Sequence, residues 1–282
     1  MKSLKITKKD IKATNKYWKI YIGKEDVSDF QGNIVIEEGL GCVYFLSIKA
    51  SGYIIAEANS GIQTARGIEA GNWIEADEEV VAGYDIRAGK GIKAGYDIKA
   101  GYNINAASNI IAGWGILAGK CIRSYGGIQA QWNIQAGEGI NADSGIEAGN
   151  AIIAGYDIKA GKTIKAKEEI KAGGSIKTES LIESGKIIEA GMDIIASKGI
   201  KAGSSIKSGE KIIAGEEIIS GGNIVSRNGI LSLYSHIRAS AIRVDTQGTI
   251  AAGIFCLNGN KNIETQEIIG NVVRGNLKIQ PR

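Results

Sequence analysis

Isoleucine recurs at every sixth position from Ile62 to Ile230, with Val80 the only exception among 29 slots. Two residues after each slot stands Ala, Ser or Thr in all 29 cases, and the next residue is Gly in 18 of them. The unit is I-x-A-G-x-x. On an α-helix, residues six apart are turned by about 600°, so the isoleucines would point in three directions and leave no apolar face. In a strand, Ile and the small residue share one side, the residue between them takes the other, and Gly supplies a bend where φ > 0 is expected. Each unit reads as one short strand and one corner.

A three-residue strand cannot stand alone, so the units must stack in parallel and bury their Ile against one another, as solenoids do. The number of sides follows from the Gly slot. Its phase through 83, 101, 119, 137, 155, 173, 191 and 209 is Gly without exception. Another phase, through 107, 125, 143, 179, 197 and 233, holds Ala, Tyr, Asp, Glu, Ser and Leu, six of the 11 departures from Gly. Corners that keep their character at every third unit predict a single-stranded parallel β-helix, a triangular all-β solenoid of 18 residues per coil. The composition agrees: 40 Gly, one Pro and 44% hydrophobic residues suit neither a helical bundle, nor collagen, nor a disordered chain.

The period slips near both ends. Ile48 with Ala50 and Ile54 with Ala56 precede a spacing of eight to Ile62, which predicts a bulge at 57 to 61. After Ile230, His236 stands where Ile is due and the register resumes at Ile237. The expected organisation is therefore a basic N-terminal cap over 1–47, a solenoid over 48–245 and a C-terminal cap over 246–282. Caps are needed because open solenoid ends expose unpaired strand edges.

Charge is concentrated at the start: residues 1 to 24 hold eight Lys against Asp10 alone, +7 in a chain whose net charge is +4, so the rest carries −3. Lys8, Lys9 and Trp18 in this cap could hold nucleic acid through phosphate contacts and stacking, but no nucleic-acid motif accompanies them, and a solvated cap is the simpler expectation. Cys42, Cys121 and Cys256 are odd in number and widely spaced, so they suggest reduced thiols and a cytoplasmic setting, with no disulfide framework, metal site or cofactor. No apolar stretch is long enough to span a bilayer as a helix, and no membrane partner is expected.

The surface offers two aromatic files on neighbouring corners: Tyr96, Trp114 and Trp132 on one, Tyr84 and Tyr102 on the other, with Tyr156 three coils on. Such rings could receive sugars, bases or a partner's apolar strip, or could simply stack. Ile195, Ile213 and Leu231, one coil apart in the outward slot, predict an exposed aliphatic strip fit for a protein contact or a homodimer. Lys159, Lys165, Lys171 and Lys177 ring one coil, an arrangement suited to solubility. Ala160-Gly161-Lys162-Thr163 imitates the end of a P-loop, but Tyr156 stands where its first Gly is required. Asp85, Asp97, Asp157 and Asp193 precede Ile in matching slots and are explained by turn polarity. His236 is the only histidine, and no Ser, Cys or acid of assignable geometry adjoins it.

The Ile-x-Ala-Gly units resemble two families of three-sided solenoids over about 200 residues. Hexapeptide-repeat proteins, many of them acyltransferases with a left-handed coil, share the six-residue face, though in the order small, x, aliphatic. Bactofilins, bacterial polymer-forming cytoskeletal proteins with a right-handed coil, share the Ile-rich core. The resemblance implies architecture and leaves the hand of the coil open. The function expected is that of a non-enzymatic, rigid solenoid that inhibits or scaffolds another protein through a lateral face or cap. The rivals are bactofilin-like self-assembly, glycan or nucleic-acid binding along the aromatic ladder, and, least favoured, acyl transfer around His236.

Overall fold

The structure, a computed structural model, describes residues 1–13, 19–244, 248–252, 262–265, 267–269 and 271–279. The chain forms two compact units, Met1–Asp143 and Ser144–Arg282, each a three-sided β-solenoid. In the first unit, face 1 stacks Ser3–Ile6, Asn33–Ile36, Ile54–Ala56, Ile74–Ala76, Ile92–Ala94, Ile110–Ala112 and Ile128–Ala130. Face 2 runs from the hairpin Ile11–Ala13 and Lys19–Tyr21 through Gly41–Phe45, Ser60–Thr64 and Val80–Ala82 to Ile98–Ala100, Ile116–Ala118 and Ile134–Ala136. Face 3 stacks Ile48–Ala50, Ile68–Ala70, Ile86–Ala88, Ile104–Ala106, Ile122–Ser124 and Ile140–Ala142. The second unit has three ladders of the same kind, one of them beginning Ile146–Ala148, Ile164–Ala166, Ile182–Ser184.

The predicted register holds. Ile74, Ile92, Ile110 and Ile128 are successive partners in parallel ladders, each one coil from the next. Within a strand such as Ile86–Ala88 the first and third residues are buried and the middle one is exposed. The slot isoleucines are at most 1% exposed, so each coil buries three branched side chains against the layers above and below. Buried serines in the small slot keep their hydroxyls satisfied: Ser184 Oγ donates to Glu168 O (2.7 Å) and Ser226 Oγ to Glu210 O (2.6 Å), both 16 residues earlier.

The corner glycines differ from expectation. None in the regular coils of the first unit has a positive φ; Gly39 and Gly41 do, near the N-terminal end. A side chain at these corners would meet the layer below, and this holds on every corner: a Cβ on Gly89, on the corner that also admits Ala107 and Tyr125, would lie 2.0 Å from Gly71 O. A Cβ on Gly101 would lie 1.9 Å from Gly83 O, and on Gly119 2.0 Å from Gly101 O, the carbonyl one layer below. Corner hydrogen bonds carry the ladder round: Gly101 N donates to Ala82 O and Gly119 N to Ala100 O, both at 3.0 Å. At Ala107 and Tyr125, on the corner that tolerates side chains, the equivalent bonds lengthen to 3.2 Å.

The parallel ladder begins earlier than Ile48: Ser3–Ile6 pairs with Asn33–Ile36, which pairs with Ile54–Ala56. Early coils are longer, with Ile34, Ile54 and Ile74 partnered at intervals of 20. The surplus at 57–59 forms a turn in which Asn59 takes φ 56° and donates its backbone N–H to Asp77 Oδ2 (2.7 Å). At the start of face 3, buried Val27 and Phe30 lie over Ile48–Ala50: Lys49 N donates to Val27 O and Phe30 N to Lys49 O. On face 2 an antiparallel hairpin, Ile11–Ala13 with Lys19–Tyr21, closes the same end. In the second unit, Asn276–Ile279 pairs with Asn262–Thr265 and is exposed along its length.

Candidate lateral binding face

The outward residue at each strand centre faces its counterpart one layer away, and at several positions that neighbour carries the opposite charge. Lys93 meets Glu75 (2.8 Å), Lys165 meets Glu183 (3.2 Å) and Lys207 meets Glu189 (3.1 Å). The hydrogen bond to Glu75 raises the pKa of Lys93. These exposed pairs contribute little stability.

Face 3 of the first unit alternates Lys49, Glu69 and Arg87 and then carries no further acidic residue in its outward slots. From there its outward column reads Arg87, Asn105, Arg123, Asn141, each in register with the next. With about 4.8 Å per layer, the two arginines stand about 10 Å apart. Arg87 is held by Asp85, Nη2 to Oδ2 at 2.9 Å. Among the described residues, Arg123 has no carboxylate at salt-bridge distance, and the side-chain amides of Asn105 and Asn141 make no hydrogen bond. A groove of about 370 Å³ runs over this column, lined by Arg87, Asn105, Arg123, Tyr125, Asn141 and Asp143 among others. A second hollow, about 240 Å³, shares Arg87 and continues past Glu69, Lys49 and Tyr84.

Both corners that flank face 3 carry tyrosines, and Tyr125 lines the groove itself. On one side Tyr84 and Tyr102 stack, centroids 5.3 Å apart and planes 15° from parallel, with Lys120 Nζ 5.2 Å from the Tyr102 centroid. On the other side Tyr125 stands in a Gly slot and is 75% exposed. Its position is fixed from beneath: Ser124 Oγ donates to Ser108 O (2.6 Å) and accepts from Gly126 N (3.1 Å), while Asn109 Oδ1 accepts from Gly127 N (2.8 Å). The corner that loses its glycines thus adjoins the column that loses its charge pairing. The 18-residue spacing of 87, 105, 123 and 141 marks the column in the sequence, though not which of its side chains lack partners.

Other residues singled out from the sequence lie elsewhere. Tyr96, Trp114 and Trp132 occupy successive layers of the corner between faces 1 and 2: Trp114 N donates to Tyr96 O (3.1 Å) and Trp132 N to Trp114 O (2.9 Å). Tyr96 and Trp114 meet at 6.4 Å with a 60° tilt, which is not a flat ladder. Lys8 and Lys9 lie exposed in a short 3-10 turn, Lys8–Asp10. Trp18 and Cys256 lie outside the described residues. In the second unit Ile195, Ile213 and Leu231 form the expected continuous row, but each is half-buried by its neighbours and does not project. Lys171 pairs with Glu169 (2.7 Å), while Lys159 and Lys177 face each other across the ladder.

The remaining polar features serve the fold. Asp85 Oδ1 accepts from Asn103 N, Asp97 Oδ1 from Gly115 N, Asp157 Oδ1 from Ser175 N and Asp193 Oδ1 from Lys211 N, at 2.7 to 3.2 Å, each one coil on. The P-loop-like fragment is a corner, with Lys162 N donating to Ser144 O. His236 Nδ1 accepts from Asn262 N (3.0 Å) and so supports the strand Asn262–Thr265 beyond the register slip. Cys42 Sγ donates to Glu79 Oε1 (3.2 Å) and Cys121 Sγ to Glu138 Oε2 (3.3 Å). Burial, with Glu79 and Glu78 beside it, pushes the Cys42 thiol far above its ordinary value. Among the described residues no helix is long and apolar enough to cross a membrane. No family model, curated protein or solved structure matches the chain.

Proposed function

We propose that the chain is a non-catalytic, rigid binding module that holds an extended polymer along face 3 of its first unit. The observation that carries this is the column of unpartnered polar side chains, Asn105, Arg123 and Asn141, in a groove rimmed on one side by Tyr125. A groove of this size lies in the range of ligand sites, where a few placed polar groups set orientation. Its floor lacks the large apolar side chains that form the centre of a protein interface, so a globular partner fits it less well than a polymer. The stacked ladder beneath fixes the spacing of the polar groups before any ligand arrives, which reduces the ordering cost of binding.

Screening the full chain against arrays of glycans, peptides and oligonucleotides tests this reading. Binding should be lost in the double variant Asn105→Ala/Asn141→Ala and kept in Trp114→Ala and Ile213→Lys, with melting curves unchanged by the face 3 substitutions. Ligand binding insensitive to those substitutions would refute it. A second reading, a protein partner or homodimer on the second unit, is supported by the continuous row Ile195, Ile213, Leu231; there Ile213→Lys should abolish the contact.

A further inference from the structure

We infer that the ligand of the face 3 groove is an acidic saccharide, its carboxylate seated on Arg123 and its hydroxyls on Asn105 and Asn141. The inference rests on the binding role proposed above and specifies its chemistry. Arg87 is already neutralised by Asp85, and Asp143 lines the same groove, so Arg123 is the one lining guanidinium left without a counter-charge among the described residues. A planar guanidinium takes a carboxylate through two parallel hydrogen bonds. One free cation beside a carboxylate suits a ligand with sparse negative charge and opposes a nucleic acid strand, which carries a phosphate on every residue.

A peptide is disfavoured for a different reason. Strand addition requires an open sheet edge. The strands that bear Arg87, Asn105 and Arg123 have their backbone groups paired on both sides within the ladder, so a peptide lying across this flat would find few partners for its amides. Side-chain amides, by contrast, both donate and accept, as sugar hydroxyls do. Tyr125, three-quarters exposed at the rim, offers a ring face against which the apolar side of a sugar can rest. Arg123 lies between the amide layers of Asn105 and Asn141, so one bound carboxylate would be flanked on both sides by groups that take hydroxyls.

Calorimetric titration of the full chain with a uronate oligosaccharide, its carboxyl-reduced neutral counterpart and a single-stranded oligonucleotide of equal length tests the inference. The uronate should bind at least tenfold more tightly than the reduced sugar. Arg123→Gln should erase that difference, Arg123→Lys should retain part of it, and Tyr125→Ala should weaken both sugars about equally; thermal melts establish that these outward substitutions leave the fold intact. Equal binding of the two sugars, lost in Asn105→Ala/Asn141→Ala, would overturn the carboxylate assignment and leave the groove standing as a site. Tighter binding of the oligonucleotide would overturn it in favour of phosphate. Uronate binding that survives Arg123→Gln and Asn105→Ala/Asn141→Ala but fails in Trp114→Ala would overturn both the inference and the proposed function, and absence of binding to either sugar would overturn the inference.

Discussion

Replacing Gly119 by Ala should destabilise the first unit, although the same change at an unconstrained site would stabilise it. The new Cβ would lie 2.0 Å from the carbonyl oxygen of Gly101. That is about 1.5 Å inside the ~3.5 Å at which heavy atoms rest. The obstacle is backbone, one layer down in a stack, so relief requires the corner to lift and the Gly119 N to Ala100 O bond, now 3.0 Å, to open. Loss of that bond costs about 1 kcal/mol, and strain from overpacking costs about 1–3 kcal/mol. Reduced freedom of the unfolded chain offsets about 0.4–1 kcal/mol of this. The net expectation is a loss of about 2 kcal/mol. The matched control is Ala107→Gly, on the corner where side chains are accommodated, which should cost only the entropy of glycine, about 0.5–1 kcal/mol. Urea unfolding compared with amide exchange at the corner is the appropriate assay, because stacked repeats can open in parts. A midpoint for Gly119→Ala equal to or above that of the parent would show that this contact does not exclude a side chain.

Ile110→Ala, which empties a fully buried slot, should cost about 2–5 kcal/mol, read as a lowered melting temperature; a change within error would contradict a dry, close-packed core. His236→Ala removes the acceptor of the Asn262 N–H and should speed amide exchange at Asn262 while leaving ligand binding at face 3 untouched. Cys42 should resist a thiol reagent at pH 8 in the folded protein and react on unfolding, as mass spectrometry of the labelled peptides would show. Because the folded state keeps the thiol proton that the unfolded chain gives up, stability should fall as pH rises above the ordinary thiol value, and Cys42→Ser should flatten that decline.

Much of the scaffold is legible in the sequence because one physical demand repeats. An inward Ile every sixth residue permits only stacked short strands, and the loyalty of one corner to Gly at every third unit counts the sides. The reason for that Gly is not legible. Composition distinguishes Gly from other residues but not a dihedral need from a crowded one, and here the crowding comes from residue 101 for Gly119 and residue 83 for Gly101, which only the stack brings close. The strip at Ile195, Ile213 and Leu231 lies in the register its spacing predicts, but neighbouring rows shield one another in a way that spacing alone does not reveal. The column at Arg87, Asn105, Arg123 and Asn141 is hard to see in the chain because its signal is a missing partner. Opposite charges one coil apart can be read from the chain, whereas an arginine left without one becomes apparent only after every neighbour has been placed.

The unpaired column of face 3 is proposed as the place where this molecule meets its ligand. A crystal structure of the full chain soaked with the uronate oligosaccharide addresses it directly. Sugar density is expected along Arg87 to Asn141, with a carboxylate within hydrogen-bond distance of the Arg123 guanidinium. Density confined to the Tyr96 and Trp114 corner, or to the Ile195 to Leu231 row, with Arg123 still free, would contradict it.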